Sequence, residues 1–225
     1  MRSALEVALK DWRVAGRTRD VLTSTVFFAG LLMLILAFGL GPERLQDAAP
    51  GVLWSALALS AAVAAGRAFA SEQEAGALEA LTLYPVPHEA LYLGKLVGTL
   101  AQLVLVALII VPVAVLVLGM QPTQGAPPDT WAYLMLTVLL GLVGFTATSC
   151  FYAAITVNLR AREALLPVLA FPVMVPVVLS CVRATSLLLT NGLTSEWQAW
   201  LTFLVLFDVA SIVISTLLFP YAIEN

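Results

Sequence analysis

Long apolar stretches separated by short polar segments dominate this chain. About 20 apolar residues in helical geometry cross a hydrocarbon core of roughly 30 Å. Six stretches are longer than that or close to it, and they are too uniformly apolar for the alternating pattern of barrel strands. These stretches cover residues 21–42, 48–66, 96–128, 130–159, 164–182 and 197–223, and they carry no charge except Asp208 in the last one. They predict six transmembrane helices with the approximate limits Val21 to Leu40, Val52 to Ala70, Leu96 to Leu118, Trp131 to Val157, Ala164 to Leu187 and Ala199 to Phe219.

The composition supports a membrane protein. Of the 225 residues 61% are apolar, and only 11 basic and 14 acidic residues are present. A soluble chain of this length would carry about 55 charged residues. A compact globule of this size leaves many of its residues at the surface in contact with water. With 61% apolar residues, too many of those surface residues would be apolar. The composition therefore excludes a soluble enzyme, a nucleic-acid-binding protein and a disordered linker.

The basic residues predict the orientation in the membrane. If the N-terminus is cytoplasmic, the inner segments hold nine of the 11 basic residues, and the outer segments hold only Arg44 and Arg183. Lys and Arg accumulate in cytoplasmic loops. We therefore expect both termini in the cytoplasm and a multi-pass protein of the bacterial inner membrane.

The first 20 residues form a separate element in this interpretation. On a helix, the polar residues share one face and the apolar residues Leu5, Leu9 and Trp12 share the opposite face. Such a helix lies flat in the interface, with its cations near anionic headgroups. Residues 1–20 are thus predicted as an interfacial elbow helix, which either anchors the topology or also packs on the bundle or a partner. The polar face comprises Glu6, Lys10, Arg13, Arg17 and Asp20.

The second polar segment, residues 67–95, is predicted as a cytoplasmic loop with its own short helix. Ser71 followed by Glu74 matches a capping box, which marks the start of a helix. Pro85 and Pro87 end it, because the residue before a proline is pushed out of the helical region. The predicted helix, residues 72–84, is acidic. Since the cytoplasmic leaflet is negative, its carboxylates are expected to meet a protein partner and not lipid.

This loop resembles that of a known family. The sequence Glu72-Gln-Glu-Ala-Gly-Ala-Leu-Glu-Ala-Leu, followed by Tyr-Pro-Val and Leu-Gly-Lys, resembles the loop between spans two and three of ABC-2-type permeases. In that family the loop supplies a coupling helix that docks in a groove of a cytoplasmic ATPase. The resemblance implies this role for Glu72, Glu74, Gly76, Leu78, Glu79 and Leu81.

The whole chain is more similar still to the haem exporter protein B family, the permease subunits of the cytochrome c maturation ABC transporter. Supporting segments are Lys10-Asp-Trp-Arg, Ala49-Pro-Gly-Val-Leu-Trp, Arg160-Ala-Arg-Glu-Ala-Leu-Leu-Pro-Val-Leu, Val182-Arg-Ala-Thr and Phe207-Asp-Val. The implied fold is an all-α, type V-like permease domain over residues 21–225. The resemblance also implies several partners. They are an ABC ATPase in two copies, a second permease copy, a haem-handling membrane protein and a periplasmic haem chaperone.

This chain itself is predicted to lack an ATPase site and a cofactor. Gly94-Lys95 is followed by Leu, and Glu89 stands where the first glycine of a P-loop would be. ATP is therefore expected on the partner subunit. Haem is a possible cargo, but His88, the only histidine, follows Pro87 as a solvated turn residue, so no axial ligand is evident. Cys150 and Cys181 lie toward opposite sides of the membrane, so we interpret them as packing residues without a disulfide.

Arg183 and Asp208 are the charges within the last two spans, and they are candidates for an outer gate. Charges inside the bilayer usually face protein or a wet cavity. Arg183 is expected near the outer interface, where it either offers a cation to an anionic group or snorkels to headgroups. Asp208 is expected near mid-depth, where it either lines a subunit interface or serves a local structural hydrogen bond. An ion pair between them would require a kinked or re-entrant outer end of span five.

Span five contains three prolines, Pro167, Pro172 and Pro176, and each can kink a helix because it removes a backbone donor. In ABC-2 permeases a re-entrant hairpin lies between spans five and six. Residues 184–196 resemble it, although an ordinary helix followed by a loop is an equal alternative.

The sequence is interpreted as a permease subunit for cytochrome c maturation, with an ATPase partner that moves the coupling helix. Two alternatives remain open. One is an ABC-2 permease for a drug, lipid or polysaccharide, and the other is a non-transporting membrane scaffold that recruits an ATPase. A secondary transporter would require broken midplane helices in matching halves, and no such repeat is found.

Overall fold

A computed structural model of the protein describes residues 19–74, 88–123, 127, 129–157, 159 and 162–223. Within these residues the chain forms six helices in sequence order. They are α1 (Arg19–Leu40), α2 (Pro42–Glu74), α3 (His88–Val117), α4 (Thr130–Thr156), α5 (Arg162–Thr190) and α6 (Ser195–Ile223). The predicted interfacial helix falls mainly on residues 1–18, which lie outside the described residues.

The prediction of an all-α fold with six transmembrane helices is confirmed for the described part of the chain. Each of the six helices is long and apolar enough to cross a membrane. Their outward faces carry large apolar side chains, such as Phe38, which is 85% exposed, and Leu116, which is 83% exposed. In water such faces would be unfavourable, whereas hydrocarbon accepts them.

The bundle is arranged around α2 and α4. These two helices are mostly buried, whereas α1 and α6 are mostly exposed at the periphery. Trp54 on α2 fixes the centre of the bundle. Its ring lies edge-on to Phe145 of α4, with a centroid distance of 6.0 Å, and its Nε1 donates to Thr185 Oγ1 of α5 at 2.9 Å. A buried tryptophan needs this partner for its indole N–H.

Gly141 lets α4 approach this tryptophan closely. A Cβ on Gly141 would lie 2.7 Å from both Trp54 Cη2 and Cys181 Sγ, which is too short for any real side-chain contact. Cys181 on α5 and Cys150 on α4 are both buried, and they are not joined by a disulfide. The interpretation of both cysteines as packing residues without a disulfide is confirmed.

The described helices extend beyond several predicted limits. Span two was predicted from Val52, but α2 begins at Pro42, directly after the turn at Gly41, whose φ is 71°. Proline suits the first helical position because its missing N–H has no helical partner there. Apolarity alone marked only the apolar part of this helix, so the prediction left out its first turns, which carry the exposed Glu43, Arg44 and Asp47.

The predicted outer end of the bundle contains two further connections. The segment after α3 docks on the end of α5, where the Thr123 hydroxyl donates to the carbonyl oxygens of Leu189 at 2.7 Å and Thr190 at 2.9 Å. Between α5 and α6 the chain turns at Asn191 to Thr194, and Gly192 supplies the φ of 71° that this turn requires.

This arrangement decides between the two alternatives for residues 184–196. Helix α5 continues without interruption to Thr190, and α6 already begins at Ser195. The segment therefore consists of two helix ends and a short turn, so the re-entrant hairpin was wrong. Pro167, Pro172 and Pro176 all lie inside α5, and none of them ends it.

Candidate functional site

The structure describes only part of the predicted coupling helix. Glu72 and Glu74 belong to the last turn of α2, whereas Gly76, Leu78, Glu79 and Leu81 lie outside the described residues. The predicted helix start at Ser71 was wrong. Helix α2 runs through this residue, and the Ser71 hydroxyl donates to the Ala68 carbonyl at 3.2 Å instead of capping a new helix. No glycine or proline lies between Gly66 and Gly76, so no residue with a low helix propensity interrupts α2 at Ser71.

Lys95 connects the two helices that lead into and out of residues 75–87. It was predicted as part of the cytoplasmic loop 67–95, but α3 begins at His88, so Lys95 lies within this helix and is only 2% exposed. Its Nζ donates to the Ala68 carbonyl of α2 at 3.3 Å and lies 5.7 Å from the centroid of the Phe69 ring. A cation over an aromatic face is stabilised by the ring quadrupole.

Tyr92, one helical turn before Lys95, extends the same contacts to α4 and α6. Its hydroxyl donates to the Ala147 carbonyl of α4 at 3.0 Å. Its ring lies 5.2 Å from that of Phe219 on α6. We call Ala68, Phe69, Tyr92, Lys95 and Phe219 the loop-end cluster. It joins α2, α3 and α6, and through Ala147 also α4, at the predicted cytoplasmic end.

Asp208 lies near the middle of α6 and faces into the bundle. It is 4% exposed, and neither carboxylate oxygen has a hydrogen-bond partner among the described residues. Gly144 of α4 makes room for it, since a Cβ there would lie 2.6 Å from Asp208 Oδ1 and 3.2 Å from Val177 Cγ1 of α5. The carboxyl group is thus enclosed by the chain's own helices and not exposed on a surface of this chain. We call this place the Asp208 pocket.

Arg183 does not join Asp208. Its side chain is exposed on α5, whereas Asp208 is buried, and no ion pair links them in the part of the chain that the structure describes. The two outer-gate candidates therefore belong to separate environments. Helix α5 continues without interruption to Thr190, so no kink brings Arg183 towards Asp208.

Within the described residues, no group of three His, Cys, Asp or Glu side chains could hold a metal ion. His88 is the first residue of α3 and not part of a turn.

Sequence reasoning missed the loop-end cluster. Lys95 contributed only to the charge bias, because its burial depends on where α3 begins. The spacing of Tyr92 and Lys95 was a usable signal. Residues three apart share a helix face, so a helix that begins after Pro87 places both side chains on one face.

The chain was compared with known proteins. A family model described as "CcmB protein" matches residues 2–225. The chain is 30% identical over 221 residues to Heme exporter protein B of Haemophilus influenzae, which covers 97% of this chain and 94% of that protein.

Two further relatives carry the same name. Heme exporter protein B of Pseudomonas aeruginosa is 31% identical over 196 residues, with 84% of each chain covered. That of Paracoccus denitrificans is 30% identical over 173 residues, with 76% of this chain and 77% of that protein covered. The family match spans nearly the full length and includes all six described helices. This chain belongs to the CcmB protein family.

Proposed function

We propose that this chain is the permease subunit of an ABC transporter for haem export in cytochrome c maturation. The observation that carries the proposal is the match to the CcmB family over residues 2–225. The relatives' name, Heme exporter protein B, supports haem as the cargo. Six helices long enough to span a membrane agree with a permease.

In this proposal the chain hydrolyses no ATP and binds no cofactor of its own. A separate ABC ATPase, in two copies, supplies the energy, and a second permease copy completes the membrane part. A haem-handling membrane protein and a periplasmic haem chaperone receive or present the haem. The chain lies in the bacterial inner membrane with both termini in the cytoplasm, as the distribution of its basic residues supports.

Residues 72–84 are the proposed contact with the ATPase, through the acidic and apolar side chains predicted from the sequence. Helix α2 ends at Glu74 and helix α3 begins at His88, so both helices adjoin this segment. A docked ATPase that moves this segment therefore pulls on α2 and α3 together.

The loop-end cluster is the proposed route of that movement into the bundle. Lys95 holds α3 to α2, and Tyr92 holds α3 to α4 and α6. Packed helices move as rigid elements between discrete arrangements. A displacement of the segment between α2 and α3 is thus transmitted to four helices without a continuous hydrogen-bond path.

The test is a charge reversal of Glu72 and Glu79 to Lys in the assembled complex. We expect the ATPase to be lost during purification and cytochrome c maturation to fall strongly, because the proposed contact uses acidic side chains and the variant replaces two of them by cations. The matched control reverses Glu43 and Glu196 to Lys. Both are exposed at the opposite end of the bundle and should leave both readouts unchanged. Retention of the ATPase together with normal maturation in the Glu72 and Glu79 variant would refute the proposed contact.

A further inference from the structure

A cavity of about 270 Å³ lies between α2, α4 and α5 at the predicted cytoplasmic end. The cavity exists because one face of α2 carries small side chains at intervals of four residues. These residues are Ala62, Gly66 and Ala70. Ala153 on α4 and Pro167 on α5 form the facing walls. The cavity is independent of the loop-end cluster and of the Asp208 pocket, which have other residues.

The walls of the cavity suit an apolar occupant. Filled with water, this volume would take about nine molecules at roughly 30 Å³ each, and each would need two to four polar partners. Thr156 is an uncharged polar side chain in the wall, and its hydroxyl already donates to the Tyr152 carbonyl at 2.8 Å. The remaining wall of small and apolar side chains offers water little to bind.

Arg67 adds a positive charge at this apolar space. It lines the cavity but is itself exposed, so its guanidinium lies at the rim. One of its N–H groups donates to the Ser24 hydroxyl of α1, which fixes the side chain. A guanidinium has five donors in all, and no carboxylate pairs with Arg67 among the side chains that the structure describes. It is therefore able to bind a phosphate group with its other donors.

We propose that this cavity is a binding site for an anionic phospholipid of the adjacent leaflet. Part of one acyl chain fills the space between α2, α4 and α5, and the headgroup phosphate is bound by Arg67. The charge complementarity selects an anionic headgroup, and the apolar walls below it select a chain-bearing ligand over free phosphate. The bound lipid braces three helices beside the segment that leads to the proposed ATPase contact.

The experiment measures lipid retained by the purified full-length chain. The protein in detergent micelles is incubated with phosphatidylglycerol, phosphatidylethanolamine or inorganic phosphate. The molecules that stay bound are counted by native mass spectrometry. We expect one phosphatidylglycerol to be retained. Arg67→Gln should reduce this retention about fivefold, as expected for the loss of one cation near a headgroup, and should leave phosphatidylethanolamine unchanged.

Two further variants test the cavity itself. Ala153→Leu and Ala70→Leu fill it from opposite walls, and either one, if it elutes and melts like the unmodified protein, should lower phosphatidylglycerol retention at least as much as Arg67→Gln. The controls are Ala132→Leu, exposed on the same helix as Ala153, and Arg44→Gln, exposed at the other end of the bundle. Both should retain the lipid.

Three results would overturn the proposal. Equal retention by the filled and control variants would mean ordinary lipid around the bundle, and equal retention of both phospholipids would exclude selection by Arg67. Full competition by inorganic phosphate would identify a free anion site. Because lipid retention is measured without ATPase or haem, failure here would leave the proposed transport function untouched.

Discussion

Lys95 and Asp208 are both buried charged residue types, but their surroundings differ. Lys95 is 2% exposed, donates to the Ala68 carbonyl and lies over the Phe69 ring. Asp208 is 4% exposed, yet both of its oxygens lack a hydrogen-bond partner in the part of the chain described. Burying a polar group is unfavourable unless a partner replaces water. The loop-end cluster meets this requirement internally, whereas the Asp208 pocket does not.

The difference suggests different roles for the two regions. A buried cation with protein partners fastens helices together, which suits a junction that has to transmit force. A buried carboxyl group without partners contributes no such connection, because its unpaired oxygens oppose burial. We therefore expect substitutions in the loop-end cluster to destabilise the protein, and removal of the Asp208 carboxyl group to be tolerated.

The largest expected effect is that of Tyr92→Ala. Tyr92 is fully buried and connects α3 to α4 and α6, so truncation leaves a cavity where these helices meet. The free energy of unfolding should fall by about 3–5 kcal/mol, as for other buried aromatic truncations. Steric trapping in bicelles measures it. Tyr221→Ala, at a position 69% exposed on α6, is the control and should change little; an equal loss there would contradict the special role of Tyr92.

The second prediction concerns the Asp208 pocket. Gly144→Ala places a Cβ 2.6 Å from Asp208 Oδ1, so the free energy of unfolding should fall by about 1–3 kcal/mol through overpacking. Gly51→Ala is the matched control, since nothing lies within 4 Å of a Cβ at that glycine.

A double variant sharpens this test. Asp208→Ala removes the oxygen that meets the new methyl group, so Gly144→Ala should cost much less when combined with it. The coupling free energy is obtained from the four proteins of the cycle. Additive effects would mean that Gly144 does not contact Asp208.

The number of spans was predictable, and the ends of the helices were not. Hydrocarbon thickness sets a length that the apolar stretches satisfy, so each span is visible in the composition alone. Helix ends outside the apolar stretch leave no such signal. Pro42 and His88 begin their helices in polar sequence, and Ser71 followed by Glu74 fits a helix start and a helix interior equally well.

Individual residues in the bundle show the same limit. That Asp208 lies near the middle of α6 followed from its position in span six, because distance along a helix depends only on sequence separation. Which neighbours surround it depends on how helices are rotated, and that is a property of packing. The contact with Gly144 and the hydrogen bond from Trp54 to Thr185 join residues 64 and 131 positions apart, beyond any local pattern.

The third prediction returns to the loop-end cluster. Lys95→Met keeps most of the apolar stem but loses the hydrogen bond to Ala68 and the contact with the Phe69 ring. The free energy of unfolding should fall by about 1–2 kcal/mol. Arg44→Met, exposed at the opposite end of the bundle, is the control. A Lys95→Met protein as stable as the unmodified one would mean that the buried cation does not fasten α3 to α2.

The smallest effect is expected for Asp208→Leu. Leucine has a similar volume and no oxygen to leave unpaired, and replacing buried charged groups by apolar ones is often neutral or stabilising. In the same steric-trapping assay, the free energy of unfolding of the isolated chain should therefore rise, or fall by less than about 1 kcal/mol. Asp208→Asn is the companion variant, because it keeps the shape and still leaves polar atoms unpaired, so it should be no more stable than Asp208→Leu. A clear destabilisation by leucine would show that the carboxyl group is bound by a group outside the described contacts, and the contrast with Lys95 would then fail.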